Sequence, residues 1–243
     1  MSTFVLVHGG WSGGWTWEKV VPLLEEAGHK VEAPDLPGHG DDRTPIPQVS
    51  LQGYADRISE VLDAQPESVV LVGHSSGGSV ISQAAEQRHE KVKMLVYLSA
   101  FLLRDGETVF SVGENDTGSL ILPNLVMSED GSSATIREEI IKEGLLHDCS
   151  DEDVERAKSR FVPQSLAPLA TPITVTEDNF GRVPRVYIET CEYAIGGCGQ
   201  RRRIGLTRVE NEPKVPFGGP VGRSKALSFS RPRLERDLIG ACR

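Results

Sequence analysis

Unbroken apolar runs alternate with amphipathic segments over the first hundred residues, and this alternation limits the fold more than any other feature. Four apolar runs have the length and β-branched content of strands: residues 3–7, 29–33, 68–72 and 92–98. Three segments with helical spacing of apolar residues lie between them: 19–27, 51–64 and 78–87. Strands without polar alternation are typical of a parallel sheet covered on both faces. The sequence therefore predicts an α/β fold, with a mostly parallel sheet flanked by helices.

The alternation stops at about residue 101, and strand-like sequence returns only at 185–189. Helical spacing is found in the intervening region at 136–142 and 151–159. An insertion between two sheet strands usually lies over the carboxyl edge of the sheet, where α/β proteins bind ligands. We therefore expect the whole chain to form one domain, with a helical lid inserted at about 101–180 and a divergent tail at 190–243.

The predicted tail differs from the rest of the chain in charge. Residues 190–243 carry 11 Lys and Arg against 5 Asp and Glu, a net charge of +6, whereas residues 1–189 carry −15. All six histidines precede residue 190, and three of the four cysteines follow it. The cysteines have irregular spacing and form no CxxC pair, so we interpret them as free thiols rather than disulfides or zinc ligands.

Charge and hydropathy exclude several classes of partner. A net charge of −9 argues against binding to nucleic acid or to an anionic membrane surface, because both need a basic patch. No apolar run approaches the roughly 20 residues that a membrane-spanning helix needs. The chain enters a strand-like run directly after its start, without the basic segment of a secretory signal. A cytoplasmic protein is therefore expected.

The strongest functional motif is Gly73-His74-Ser75-Ser76-Gly77-Gly78, which lies between a predicted strand and a predicted helix. Glycines two residues before and after a serine leave room for a sharp strand-to-helix turn that presents the hydroxyl at the sheet edge. Ser75 is therefore the candidate nucleophile. The backbone N–H of Ser76, at the start of the helix, is a candidate donor to an oxyanion on the substrate.

A second glycine-rich motif, His8-Gly9-Gly10-Trp11, follows the first predicted strand. Small residues at this point let the loop backbone approach the nucleophile and donate a second N–H to the oxyanion. Gly10 is the candidate for this donor, and His8 is interpreted as a structural residue packed beneath the loop.

These motifs, with Asp35-Leu36-Pro37-Gly38-His39-Gly40 between them, resemble the α/β-hydrolase family of plant methylesterases, hydroxynitrile lyases and bacterial esterases, some of which cleave pyrethroid esters. The resemblance covers most of residues 3–189. It implies an α/β-hydrolase fold and a serine carboxylesterase that acts on small or hydrophobic carboxylic esters through an acyl-enzyme. Such an enzyme has a small-molecule ester as its partner and needs no metal or organic cofactor. Hydroxynitrile lyases of the family carry threonine where this chain has Gly9, which favours ester hydrolysis.

The remaining members of a serine triad are not evident. After the strand that follows the lid, the family pattern places an aspartate, and the nearest carboxylate here is Glu192, the tentative triad acid. Alignment of the chain end places Lys225 where the family has its histidine, and lysine, with a pKa of about 10.4, is a poor base at neutral pH. The general base is therefore left unassigned.

Two explanations for the missing base remain open. Residues 190–228 could be read out of frame, which accounts for the charge reversal and the lost histidine. Alternatively, the chain is a divergent protein whose serine is unassisted or is served by a histidine from the lid, His147. A protein without a base would be a ligand-binding protein on a hydrolase scaffold. His74 is expected to point away from the nucleophile, and His29, His39 and His89 are interpreted as loop or surface residues.

Overall fold

The computed structural model describes residues 1–114, 119–190 and 204–209. The described residues form nine strands: β1 Thr3–Val7, β2 Lys30–Glu32, β3 Val69–Ser75, β4 Val92–Ala100, β5 Leu125–Met127, β6 Ser133–Ile136, β7 Gln164–Ser165, β8 Arg185–Thr190 and β9 Ile204–Val209. They also form seven α-helices: α1 Val21–Glu26, α2 Leu51–Asp63, α3 Gly77–Gln87, α4 Val109–Gly113, α5 Glu138–Leu145, α6 Asp151–Lys158 and α7 Ala167–Ala170. Short 3-10 turns lie at Gly14–Trp17, Ile46–Gln48, His89–Lys91, Leu122–Asn124 and Phe180–Arg182.

The central sheet has the strand order β2-β1-β3-β4-β8-β9. The four pairings from β2 to β8 are parallel, and β9 pairs antiparallel with β8 at the edge. This arrangement confirms the predicted α/β fold with a mostly parallel sheet. All four early strands and all three early helices lie within a few residues of their predicted positions. None of the helices in the described ranges is long and apolar enough to cross a bilayer.

Apolar side chains cover both faces of the sheet, as its unbroken apolar strands require. Along β3, Val69 and Leu71 pack into one core cluster with residues of α2 and α3, such as Ile58. Val70 and Val72 face the opposite side and join a second cluster with Trp17. Burying each such aliphatic side chain contributes roughly 1.5–3 kcal/mol, so β3 is anchored firmly from both sides.

The segment between β4 and β8, residues 101–184, is called here the inserted segment. It contains α4 to α7 and a small antiparallel sheet of order β5-β6-β7. The prediction of a helix from residue 136 was wrong at its start, because Ile136 ends β6 and α5 begins only at Glu138. Strands of two to four residues are too short to show a period of two, which is why the sequence did not reveal this sheet.

Candidate active site

The sharp turn predicted around Ser75 is present. Strand β3 continues beyond its predicted end to Ser75, and α3 begins two residues later at Gly77. Ser75 is half-buried and has φ = +52°, in the left-handed region that side chains other than glycine rarely adopt. A residue held in this region costs roughly 1–3 kcal/mol, and such strain is concentrated at functional sites. The strain at Ser75 therefore supports a functional role.

The glycines around Ser75 are required by close backbone contacts. A Cβ on Gly73 would lie 2.7 Å from the carbonyl oxygen of Gly77. A Cβ on Gly77 would lie 2.6 Å from the carbonyl oxygen of His8, and one on Gly78 would lie 2.4 Å from that of Phe101. No side chain fits at these distances, so the turn, β1 and β4 are packed backbone against backbone.

The loop after β1, residues 8–14, is called here the β1 loop, and it contacts the Ser75 turn. A Cβ on Gly9 would lie 3.0 Å from the Cβ of Ser75, and one on Gly10 would lie 3.7 Å from Oγ of Ser76. Within residues 1–114 and 119–190, neither the N–H of Gly10 nor that of Ser76 has a hydrogen-bond acceptor, and the Ser75 hydroxyl has no partner. Among the described residues, two N–H donors without an acceptor therefore lie beside a hydroxyl without a partner.

Hydrogen bonds to the Gly9 carbonyl fix the peptide that carries the Gly10 N–H. The Gly9 oxygen accepts from Nδ1 of His8 at 2.7 Å and from Oγ of Ser12 at 3.0 Å. The amide of Leu36 donates to Nε2 of His8 at 3.2 Å, so the proton of the neutral ring is on Nδ1. Because this peptide is trans, its N–H points opposite to the carbonyl and away from His8 and Ser12.

His8 is buried and neutral, which agrees with the structural role predicted for it. Burial, together with the neighbouring ring of His39, lowers the pKa of His8 to about 3. A neutral ring can serve as donor at one nitrogen and acceptor at the other, as it does here. His8 therefore supports the β1 loop and is not free to act as a base.

His39 lies in a loop, one of the two predicted placements, but it is not a surface residue. His39 is buried, and its ring contacts the side chains of Tyr54 and Gln164. Gln164 is itself only 1% exposed. Its amide oxygen accepts from the backbone N–H of Trp11 at 3.3 Å. The sequence analysis did not single out Gln164, which lies in the stretch Phe161-Val162-Pro163-Gln164 within residues 3–189, most of which the family resemblance covers.

The structure describes two of the other residues that the sequence analysis considered, His74 and His147. His74 lies edge-on to Trp17, 6.3 Å between ring centroids, which puts its ring on the sheet face opposite to Ser75, as expected. His147 is exposed in the link between α5 and α6. Glu192 and Lys225 lie outside the described residues, so the triad acid remains a prediction and the general base remains unassigned.

A cavity of about 440 Å³ lies between the β1 loop and the inserted segment. Its apolar lining includes Trp11, Ile136, Ile141 and Phe161, and Lys158 is among its polar residues. A cavity of this size can hold a small organic molecule.

Three features of the structure point to one family. They are the strand order of the central sheet, the strained serine between β3 and α3, and the glycine-rich β1 loop beside it. The sequence model of the alpha/beta hydrolase family matches residues 4–224. The chain belongs to the alpha/beta hydrolase family.

Three members of the alpha/beta hydrolase family illustrate the similarity. Putative methylesterase 11, chloroplastic, of Arabidopsis thaliana is 34% identical over 248 residues, which cover 97% of this chain and 62% of that protein. This chain thus spans less than two thirds of that relative. Pyrethroid hydrolase of Sphingobium wenxiniae is 32% identical over 252 residues, 98% of this chain and 86% of the relative. The crystal structure of polyneuridine aldehyde esterase matches with a TM-score of 0.68 and 31% identity, covering 77% of this chain and 79% of that one.

Proposed function

We propose that this protein is a serine carboxylesterase with Ser75 as its nucleophile. The observation that carries the proposal is the strained backbone of Ser75 beside the N–H groups of Gly10 and Ser76, which have no acceptor in the part of the chain that the structure describes. A tetrahedral oxyanion needs two or more such donors, aimed at the place where negative charge develops. The start of α3 adds favourable partial positive charge at the same point.

In the proposed reaction, Oγ of Ser75 attacks the ester carbonyl carbon, and its proton passes to a base. The carbonyl oxygen becomes an oxyanion that accepts hydrogen bonds from the N–H groups of Gly10 and Ser76. Collapse breaks the bond to the alcohol oxygen, and the alcohol leaves with a proton. Water then attacks the acyl-enzyme, which releases the carboxylic acid and restores the Ser75 hydroxyl.

The proton acceptor is the open part of this mechanism. Residues 148–243 contain no histidine, although the family order places the base near the chain end. Glu192 is retained as the tentative triad acid. A new nucleotide sequence across codons 189–230 tests the frame-shift explanation directly, because a restored frame would contain the missing Asp and His. If the frame stands, a His147→Gln variant tests the lid histidine: loss of turnover would assign it as the base, and unchanged turnover would exclude it.

The proposed substrates are small or hydrophobic carboxylic esters. The methylesterase and pyrethroid hydrolase relatives support this class, and pyrethroid-type esters belong in any substrate panel.

The glycine at position 9 argues against hydroxynitrile lyase activity. Lyases of this family carry threonine at that position, and a Cβ there would lie 3.0 Å from the Cβ of Ser75. Either the β1 loop or the Ser75 turn would have to move to admit it. The observed spacing of the β1 loop and the Ser75 turn therefore suits a glycine at position 9.

The deciding experiment compares the protein with its Ser75→Ala variant. A fluorophosphonate probe should label the protein and not the variant, and p-nitrophenyl esters of increasing acyl length should be hydrolysed only by the protein. Equal labelling of both would remove Ser75 from the mechanism. Saturable ligand binding with ester turnover no faster than that of Ser75→Ala would instead indicate a ligand-binding protein that lacks a base.

A further inference from the structure

We infer that Gln164, which the inserted segment contributes, is a positioning residue for the oxyanion donor Gly10. The inference rests on the proposed esterase function. Gln164 contacts the β1 loop at Gly10 and Trp11, the two residues that follow the hydrogen-bonded carbonyl of Gly9. Its amide oxygen accepts from the N–H of Trp11, and a Cβ on Gly10 would lie 3.1 Å from the same oxygen.

The orientation of the Gln164 amide is fixed by two backbone groups whose roles are unambiguous. The N–H of Trp11 can only donate, so it faces Oε1. The carbonyl oxygen of Ser165 can only accept, and it lies 2.8 Å from Nε2 of Gln164. The amide therefore cannot be turned over without breaking both hydrogen bonds.

His39 and Tyr54 close a ring of hydrogen bonds around this amide. Nε2 of His39 lies 2.9 Å from Oε1 of Gln164 and must donate to it, so Nδ1 of the neutral ring has no proton for the Pro37 carbonyl, which lies 3.2 Å away. The hydroxyl of Tyr54 donates to Nδ1 at 3.3 Å and accepts from Nε2 of Gln164 at 3.4 Å. All three side chains are buried, and burial lowers the pKa of His39, which keeps the ring neutral. With Oε1 facing Trp11, the three side chains bond one another, and the Nδ1–Pro37 contact of His39 is left without a hydrogen bond.

Trp11 connects the fixed amide of Gln164 to Gly10, whose N–H is the proposed oxyanion donor. Trp11 has φ = +59°. Three hydrogen bonds join it to the inserted segment. Its backbone N–H donates to Gln164, its carbonyl accepts from the N–H of Val162 at 2.9 Å, and its indole N–H donates to the carbonyl of Ala134 at 2.9 Å. The peptide before Gly10 is fixed by His8 and Ser12, and the peptide after it by Gln164. Both peptides that flank Gly10 are thus immobilised before substrate arrives. An N–H that needs no reorientation during the reaction stabilises the oxyanion more effectively.

A matched pair of glutamine variants tests this role. Gln164→Met keeps the length of the side chain and removes its hydrogen bonds. Gln83→Met is the control, because Gln83 also bonds two backbone groups, the N–H and the carbonyl of Thr174 at 3.0 and 3.1 Å, without contact to the β1 loop. Turnover of a p-nitrophenyl ester is measured per active site, as titrated with a fluorophosphonate, so that unfolded protein does not count. We expect Gln164→Met to lower kcat by roughly 10- to 100-fold with KM within about twofold, and Gln83→Met to leave both unchanged.

A second variant and a second measurement guard against a failure to fold. Gln164→Glu retains an acceptor for Trp11 and should keep a higher kcat than Gln164→Met. Hydrogen–deuterium exchange of peptides covering residues 8–14 should become faster in Gln164→Met or, where that variant does not fold, in Gln164→Asn, whose shorter amide does not reach Trp11, and should stay unchanged in Gln83→Met. A kcat per site within about twofold of the parent in Gln164→Met, or unchanged exchange in the β1 loop, would overturn the inference. Absence of turnover in the parent protein would instead overturn the esterase proposal, while the exchange measurement still tests the Gln164 contact.

Discussion

Gly9 and Ser75 approach so closely that a Cβ on Gly9 would lie 3.0 Å from the Cβ of Ser75. The contact joins the loop after the first strand to the turn after the third. It sets the distance between the proposed nucleophile and the proposed oxyanion donor Gly10. Substitutions at and around this contact therefore test the site directly.

Gly9→Ala should lower kcat by roughly ten- to a hundredfold, because the added methyl group forces the β1 loop away from Ser75. Steady-state kinetics on a p-nitrophenyl ester measure the change. Gly113→Ala is the control, since a Cβ there would lie 3.9 Å from Leu122 Cδ1, an ordinary contact distance. Full activity in Gly9→Ala would mean that the spacing of the two elements is not critical.

Ser12→Ala should lower kcat by roughly fivefold and leave KM unchanged. The variant loses the hydroxyl donor at 3.0 Å from the Gly9 carbonyl, a bond worth about 1 kcal/mol that helps to orient the Gly10 N–H. Thr16→Val is a suitable control, because Thr16 makes a similar bond to the Gly13 carbonyl at 2.9 Å. If both variants lose activity equally, the orientation of the Gly9–Gly10 peptide is not the cause.

The free energy of unfolding should fall by about 2 kcal/mol between pH 7.5 and pH 5 through His8 alone. The pKa of His8 is lowered from 6.5 to about 3, so the unfolded chain takes up a proton that the folded protein refuses. The stabilising contribution is complete above pH 6.5 and is lost as the pH falls toward 3. Urea unfolding at several pH values measures it. His8→Gln should flatten the dependence, whereas His147→Gln, at an exposed site, should not.

Glu86→Gln should lower the free energy of unfolding by about 2 kcal/mol. The Glu86 carboxylate accepts four hydrogen bonds, two from Thr176 and one each from Asn179 and Phe180. The variant replaces one acceptor oxygen with a donor. These bonds lower the pKa of Glu86 against the effect of burial, so the stability they supply is lost as the pH falls below 4.5. Glu60→Gln, which alters an exposed ion pair with Arg57 at 3.6 Å, should change stability by less than about 0.5 kcal/mol.

Much of the fold could be predicted because its signals are local. A buried parallel strand needs only a continuous apolar run, and a helix needs apolar residues three and four positions apart. The turn at Ser75 was predictable for the same reason, since its glycines lie within three residues of the serine. The β5-β6-β7 sheet was missed because its strands are short and are held by pairing rather than by propensity.

The sequence alone determined the α/β architecture and the serine turn, because each depends on residues that are neighbours in the chain. Only the tertiary structure brought Gln164 to Trp11, 153 positions away, and closed its ring with Tyr54 at a separation of 110. It also showed that His39, expected in a loop or at the surface, lies in a loop and is buried. A polar side chain in a loop carries no local mark of burial, because burial and partners are set by which distant segments pack against it.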